Sequence, residues 1–89
     1  MYPIIIERKR DIPKKVKLVE LQSNKTIFAF DIHKTTLKAN GNPDLEVKKY
    51  ITHLIHHKYN ILFLSYDSND ERIQQNNKTL NQIPEYRKI

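Results

Sequence analysis

The sequence predicts an α/β fold built around a parallel β-α-β unit, and three observations lead to that prediction. Two short runs, residues 26–30 and 61–64, are rich in apolar residues, which is typical of strands covered on both faces. The segment between them repeats apolar residues every three or four positions, as in an amphipathic helix. A strand, a helix and a strand of this length predict two parallel strands joined by a right-handed crossover.

Each predicted strand ends abruptly in a polar residue. The run at residues 26–30 contains β-branched and aromatic residues and is followed by Asp31. The run at residues 61–64 is followed by Ser65. The carboxyl ends of parallel strands meet at one edge of a sheet, where open α/β proteins bind ligands. We therefore expect Asp31 and Ser65 to lie in the same crevice.

The helix between the strands follows a cluster of turn-forming residues. We expect Asn42 to be its N-cap, Pro43 its first residue and Asp44 a favourable first-turn charge. The helix should extend to about Lys58. Its apolar stripe should pack on the sheet, through Val47, Tyr50, Ile51, Leu54 and Ile55.

A second helix is predicted after Ser65. Ser68 and Glu71 have the spacing of a capping box, so the helix should extend from Asn69 to about Gln82. Its apolar stripe is thin, because few of its residues are apolar.

The first 25 residues are less regular. Residues 4–6 predict a short strand, and residues 16–21 fit either a strand or a helix. Pro3 and Pro13 lie close to these segments, and proline interrupts strands and helices alike. We favour two short strands. The expected organisation is a basic N-terminal extension at residues 1–25 and an α/β domain at residues 26–89.

Composition narrows the class of protein. The 89 residues form one small domain, and the absence of cysteine excludes disulfides, thiolate zinc sites and a cysteine nucleophile. No run approaches the roughly 20 apolar residues that span a bilayer, and no signal-peptide pattern begins the chain. We therefore expect a cytoplasmic protein that does not enter membranes.

The chain carries a net charge of +6, much of it near the N-terminus. This charge permits a basic module that binds nucleic acid or an acidic protein without catalysis. A solvated basic face is the explanation we favour, since charge alone does not distinguish binding from solubility. The residues that would bind are Arg8, Lys9, Arg10, Lys14 and Lys15.

The polar residues at the strand ends favour phosphoryl chemistry. Asp31, Thr35 and Ser65 would bring a carboxylate and two hydroxyls together with the backbone amides of residues 32–36. A carboxylate can attack phosphorus, and hydroxyl and amide donors can hold the phosphoryl oxygens as they gain charge.

Residues 28–37 resemble the first motif of the haloacid dehalogenase-like (HAD) phosphatases, a hydrophobic strand followed by Asp-x-Asp-x-Thr. Residues 61–65 are similar to the second motif of that family, a hydrophobic strand ending in Ser or Thr. The resemblance covers roughly residues 26–80 and implies the front part of a Rossmann-like, three-layer α/β domain. It also implies a magnesium-dependent phosphatase that hydrolyses phosphate monoesters through an aspartyl-phosphate.

The resemblance assigns a role to each matching residue. Asp31 would be the nucleophile and a Mg²⁺ ligand, with the backbone carbonyl of His33 as a second ligand. Ser65 would bind the phosphoryl group, Thr35 would support the loop, and Thr35 and Tyr66 would complete the phosphate-binding set. The implied partner is a phosphorylated small molecule, a phosphoprotein or a nucleic-acid end.

The chain departs from the family pattern in two places. His33 stands where the family has a second acid, and a histidine there can either act as a general acid or mark a site that has lost its chemistry. No lysine of a third motif or acidic pair of a fourth follows Ser65. We therefore expect a fragment, a truncated relative that is inactive, or a subunit completed by a partner or by homo-oligomerisation.

Overall fold

The computed structural model describes residues 2–17, 26–87 and 89. Among these, the strands are β1 (Tyr2–Ile6), β2 (Thr26–Asp31) and β3 (Asn60–Leu64). The helices are a 3-10 turn (Lys9–Asp11), α1 (Ile12–Lys17), α2 (Leu45–His56) and α3 (Asp70–Asn81). Within the described ranges, no helix is both long and apolar enough to cross a membrane.

The three strands form one parallel sheet with β2 in the centre, between β1 and β3. Phe28 of β2 pairs with Ile4 on one side and with Ile61 on the other. The predicted parallel β-α-β unit is confirmed, and β1 adds a third strand to it. Because residues 2–6 belong to the same sheet, the described part of residues 1–25 is integral to the domain and not an extension of it.

The helices pack on one face of this sheet. Two right-handed crossovers that step in the same direction across a sheet place their helices on the same side. Side chains alternate along each strand, so every second residue faces the helices. The strand residues of this core are Ile4, Ile6, Phe28, Phe30, Ile61 and Phe63. The remaining part of the chain contributes Ile12, Leu37, Val47, Ile51, Leu54, Leu80, Ile83 and Tyr86.

The opposite face of the sheet carries none of the described helices, so the expectation of two covered faces is wrong. Ile5 of β1 is 40% exposed and Leu62 of β3 is 48% exposed. Only the small Ala29 between them, at 3% exposed, is shielded on this face by its neighbours. The physical reason is the topology, since the described helices of both crossovers, α1 and α2, pack on the other side. We call the residues Pro3, Ile5, Ile27, Ala29, Leu62 and Leu64 the open face.

The N-caps of the two longer helices differ from those predicted. Asp44, and not Asn42, caps α2, because its Oδ1 accepts hydrogen bonds from the amides of Glu46 at 3.1 Å and Val47 at 3.2 Å. Pro43 forms a β-bridge with Leu37, which keeps it outside the helix. For α3, the N-cap is Asn69 and not Ser68, since the Asn69 side chain accepts a hydrogen bond from the Arg72 amide at 3.0 Å.

The segment after β1 is helical where a strand was favoured. Residues 12–17 form α1, and Pro13 lies in its first turn, where the missing N–H removes no helical hydrogen bond. Ile12 is fully buried and Val16 packs against the core, so α1 anchors the segment to the sheet. Residues 18–21, the rest of the second predicted strand, lie outside the described residues.

Candidate functional site

The candidate site begins with a tight loop at the carboxyl end of β2. The Ile32 amide donates to the Leu64 carbonyl at 3.1 Å, which extends the pairing with β3 by one residue. The Thr36 amide and hydroxyl then both donate to the Asp31 carbonyl, at 3.1 and 2.9 Å. These bonds fix the main chain of Asp31, while its carboxylate makes no ion pair with the described residues.

Thr35 connects this loop to the segment that follows β1. Its hydroxyl donates to the Glu7 carbonyl at 2.8 Å, and the residue is only 1% exposed. The bond connects the loop after β2 to the end of β1. The Thr35 side chain does not line the cleft described below.

Lys34 turns the loop at a conformational cost. Its φ of 67° lies in the left-handed region, which is unfavourable for residues with a Cβ atom by about 1–2 kcal/mol. Its side chain is exposed at the mouth of the site. A strained residue at the end of a strand is common at binding sites, where the surrounding hydrogen bonds hold it in place.

A cleft of about 680 Å³ lies over the carboxyl ends of the strands. The predicted residues that line it are Arg8, Lys9, Arg10, Asp31, His33, Ser65 and Tyr66. The structure thus brings together two sets that the sequence offered as alternatives, the phosphate site and part of the basic segment. Lys14 and Lys15 do not line the cleft, and the Lys15 ammonium donates to the Ile5 carbonyl.

The environment of Asp31 changes its acidity. Partial burial raises the pKa of the carboxyl above its usual value, against the opposing effects of the Ile32 amide and His33. Glu7 adds a further rise by charge repulsion. A carboxylate with a raised pKa is a stronger base and a better nucleophile than an exposed one.

The cations of the cleft fall into two groups. The Lys9 ammonium lies 3.1 Å from an Asp44 carboxylate oxygen and 3.0 Å from one of Glu46, and these hydrogen bonds raise its pKa. Lys9 is therefore bound to the start of α2. By contrast, Arg8, Arg10 and Lys34 form no ion pair with any described residue.

Arg72 and Asp67 are cleft residues that sequence reasoning did not assign to the site. An Arg72 guanidinium nitrogen lies 3.1 Å from an Asp67 carboxylate oxygen. The Asn69 amide and then the charge of Arg72 hold the pKa of Asp67 below its usual value. The signal was present in the sequence, because an N-cap at Asn69 places Arg72 in the first turn of α3, beside the end of β3.

The remaining cleft residues include Glu7, Lys34, Ser68 and Asn76. Asn76 is 6% exposed although it lies on a polar helix, and no sequence pattern marks it as buried. Within the described ranges, no three His, Asp or Glu side chains are grouped so as to hold a metal ion.

Comparison with protein-family models, with curated proteins and with solved structures finds no match to this chain.

Proposed function

We propose that this chain is a HAD-like phosphohydrolase domain in which Asp31 attacks the phosphorus of a phosphate monoester. The observation that supports this most directly is the convergence of Asp31, His33 and Ser65 in one cleft at the ends of two adjacent parallel strands. Arg8, Arg10 and Lys34, which form no ion pair with the described residues, supply the positive charge that a phosphate requires.

In the proposed reaction, an Asp31 carboxylate oxygen forms a bond to phosphorus as the bond from phosphorus to the ester oxygen breaks. The leaving oxygen takes a proton from the His33 imidazolium, which lines the same cleft as Asp31. Water then attacks the aspartyl-phosphate and releases inorganic phosphate and free Asp31, with neutral His33 taking up its proton. The Ser65 hydroxyl donates a hydrogen bond to a phosphoryl oxygen in both steps.

Asp31 and the backbone carbonyl of His33 would supply two oxygen ligands to Mg²⁺. The ion commonly keeps several waters and binds one or two protein carboxylates together with substrate phosphate oxygens, so two protein ligands fit it. Among the described residues, no cluster of three metal-binding side chains occurs. A bound Mg²⁺ would add to the charge neutralisation that Arg8, Arg10 and Lys34 provide in the proposed steps.

The test is phosphatase activity of the purified chain on p-nitrophenyl phosphate, measured with and without added Mg²⁺. Asp31→Asn should reduce turnover to the background rate, because an amide cannot form the acyl-phosphate. Asp70→Asn is the matched control, since it makes the same chemical change on an exposed acid that does not line the cleft.

A second measurement separates binding from turnover. Beryllofluoride, a mimic of a phosphoryl group on a carboxylate, should perturb the NMR amide signals of the loop at residues 31–36 in the natural chain and not in Asp31→Asn. The proposal fails if the natural chain shows neither turnover, with or without Mg²⁺, nor this perturbation.

A further inference from the structure

Two features of the cleft bear on the kind of molecule that carries the phosphate. One is that several cations of the cleft around Asp31 form no ion pair with a described acid. The other is an exposed aromatic ring next to Ser65. Together they define a class of substrate, so this inference rests on the proposed function and extends it.

These cations surround the cleft from two separate segments. Arg8 and Arg10 follow β1, while Lys34 lies in the loop after β2. The other two cations of the cleft are neutralised within the protein, Lys9 by Asp44 and Glu46, and Arg72 by Asp67. Cations from two segments that line one cleft can contact more than one phosphate.

Tyr66 is the exposed aromatic. It is 64% exposed, directly follows the proposed phosphoryl-binding Ser65 and lines the same cleft. The other tyrosines with described side chains are packed: Tyr59 lies edge-on to Phe28 and Tyr86 to Phe63, both at 5.2 Å, and Tyr50 packs against the core. The ring of Tyr66 has no such contact with described residues, so one of its faces is free to stack.

Cations beside an uncovered aromatic ring are the elements by which proteins bind single-stranded nucleic acid. Cations follow the phosphate backbone, and bases stack on aromatic side chains with about 1–3 kcal/mol per base. A base within a duplex is already stacked on both faces, so a single strand or an unpaired end is needed. The overall charge of +6 also favours a polyanion over a neutral partner.

We propose that the substrate of this cleft is a single-stranded nucleic acid with a terminal phosphate monoester. The terminal phosphate lies at Asp31 and Ser65, where Lys34 adds positive charge. The last base stacks on Tyr66, and Arg8 and Arg10 extend the positive charge to the neighbouring phosphates. The cleft volume of about 680 Å³ lies within the range of roughly 300–1,000 Å³ found for ligand sites. A nucleotide unit fills a cleft of this size better than a lone phosphate does.

Binding is measured with the Asp31→Asn chain, which cannot remove the phosphate, and the variants below carry the same substitution. The measurement is fluorescence anisotropy of an eight-residue oligothymidylate that carries a terminal phosphate at one end and a dye at the other. Oligomers with the phosphate at the 5′ or the 3′ end are compared with the same oligomer lacking it. We expect one of the phosphorylated forms to bind at least about 10-fold more tightly than the unphosphorylated form.

Two sets of variants test the proposed contacts. Tyr66→Ala should weaken binding about 10-fold or more, and Tyr66→Phe should restore it, because stacking needs the ring and not the hydroxyl. Arg8→Ala combined with Arg10→Ala should weaken binding and lower the slope of log K against log salt by about 1.4, at roughly 0.7 for each phosphate that is no longer neutralised. Lys49→Ala combined with Lys78→Ala removes the same charge outside the cleft and should have little effect.

Three outcomes would overturn this inference. They are equal binding with and without the terminal phosphate, no effect of Tyr66→Ala, and a phosphorylated peptide of similar charge that binds as tightly with the same dependence on Tyr66. Any of these together with turnover of p-nitrophenyl phosphate would leave the proposed hydrolysis intact. Conversely, phosphate-dependent oligonucleotide binding without any turnover would reject Asp31 as the nucleophile and retain the substrate class.

Discussion

At the scale of the residue, the burial that makes the Asp31 carboxylate more reactive also lowers the stability of the folded chain. Its carboxyl loses part of its hydration at the end of β2, and this burial raises its pKa in the folded protein. The charged form is therefore less favourable in the folded chain than in the unfolded one. The bonds of Thr36 and Thr35 hold the loop in place against this cost.

The raised pKa of Asp31 predicts a specific pH dependence of stability. Below the unfolded pKa of about 3.9 both states are protonated, and the carboxyl has no effect. As pH rises through the folded pKa, the folded state must release a proton that it holds more tightly, so stability falls. Asp31→Asn should remove this loss and be more stable than the natural chain at pH 7 in urea unfolding. The two proteins should converge below pH 4, and an asparagine variant that is less stable at pH 7 would contradict this account.

At the scale of the element, the start of α2 concentrates several stabilising contacts on one carboxylate. Asp44 accepts two backbone hydrogen bonds and pairs with Lys9, although it is only 9% exposed. Burial alone would raise its pKa, but the Val47 amide and the Lys9 ammonium outweigh burial and lower it. The contact also ties the segment after β1 to α2.

Removing this N-cap should be costly. Asp44→Ala should lower the free energy of unfolding by about 1–2 kcal/mol at pH 7, the usual effect of losing an N-cap carboxylate. Because the folded pKa of Asp44 is lowered, its contribution is present above the unfolded pKa and is lost as pH falls through the folded pKa. The difference between Asp44→Ala and the natural chain should therefore shrink at pH 2–3 in urea titrations.

Glu46→Ala is the control for that experiment. Glu46 pairs with the same lysine at 3.0 Å but is exposed and caps nothing. An exposed ion pair contributes roughly 0–1 kcal/mol, so this variant should be nearly neutral. Equal losses from the two substitutions would show that the ion pair with Lys9, and not the cap, carries the stability.

The elements also show what the sequence could and could not predict. β2, α2, β3 and α3 follow from apolar periodicity, and Asp31 and Ser65 meet because parallel strands share an edge. The N-cap of α2 was misplaced because the bridge of Pro43 with Leu37 depends on tertiary structure. Sequence reasoning separated Arg8 and Arg10 from Asp31 for the same reason, since only the pairing of β1 with β2 brings them together.

At the scale of the whole molecule, the described helices cover one side of the sheet only. Leu62 on the open face is 48% exposed, whereas Leu54 of α2 on the packed face is 1% exposed. Leu54→Ala should lower the free energy of unfolding by about 2–5 kcal/mol, and Leu62→Ala by about 1 kcal/mol or less. Urea unfolding of both variants measures the contrast. Similar losses at the two positions would mean that the open face is covered in solution.

The open face also bears on how the protein responds to temperature. The heat capacity change of unfolding comes mainly from apolar surface that becomes newly hydrated, at about 0.45 cal/mol/K per Å². Ile5 and Leu62, which are 40% and 48% exposed, already contact water in the folded chain, so each adds less to that change than a fully buried residue would. Calorimetry of this protein should therefore show that the free energy of unfolding varies only gently with temperature. The unfolding enthalpy should likewise change only weakly with the midpoint temperature of unfolding.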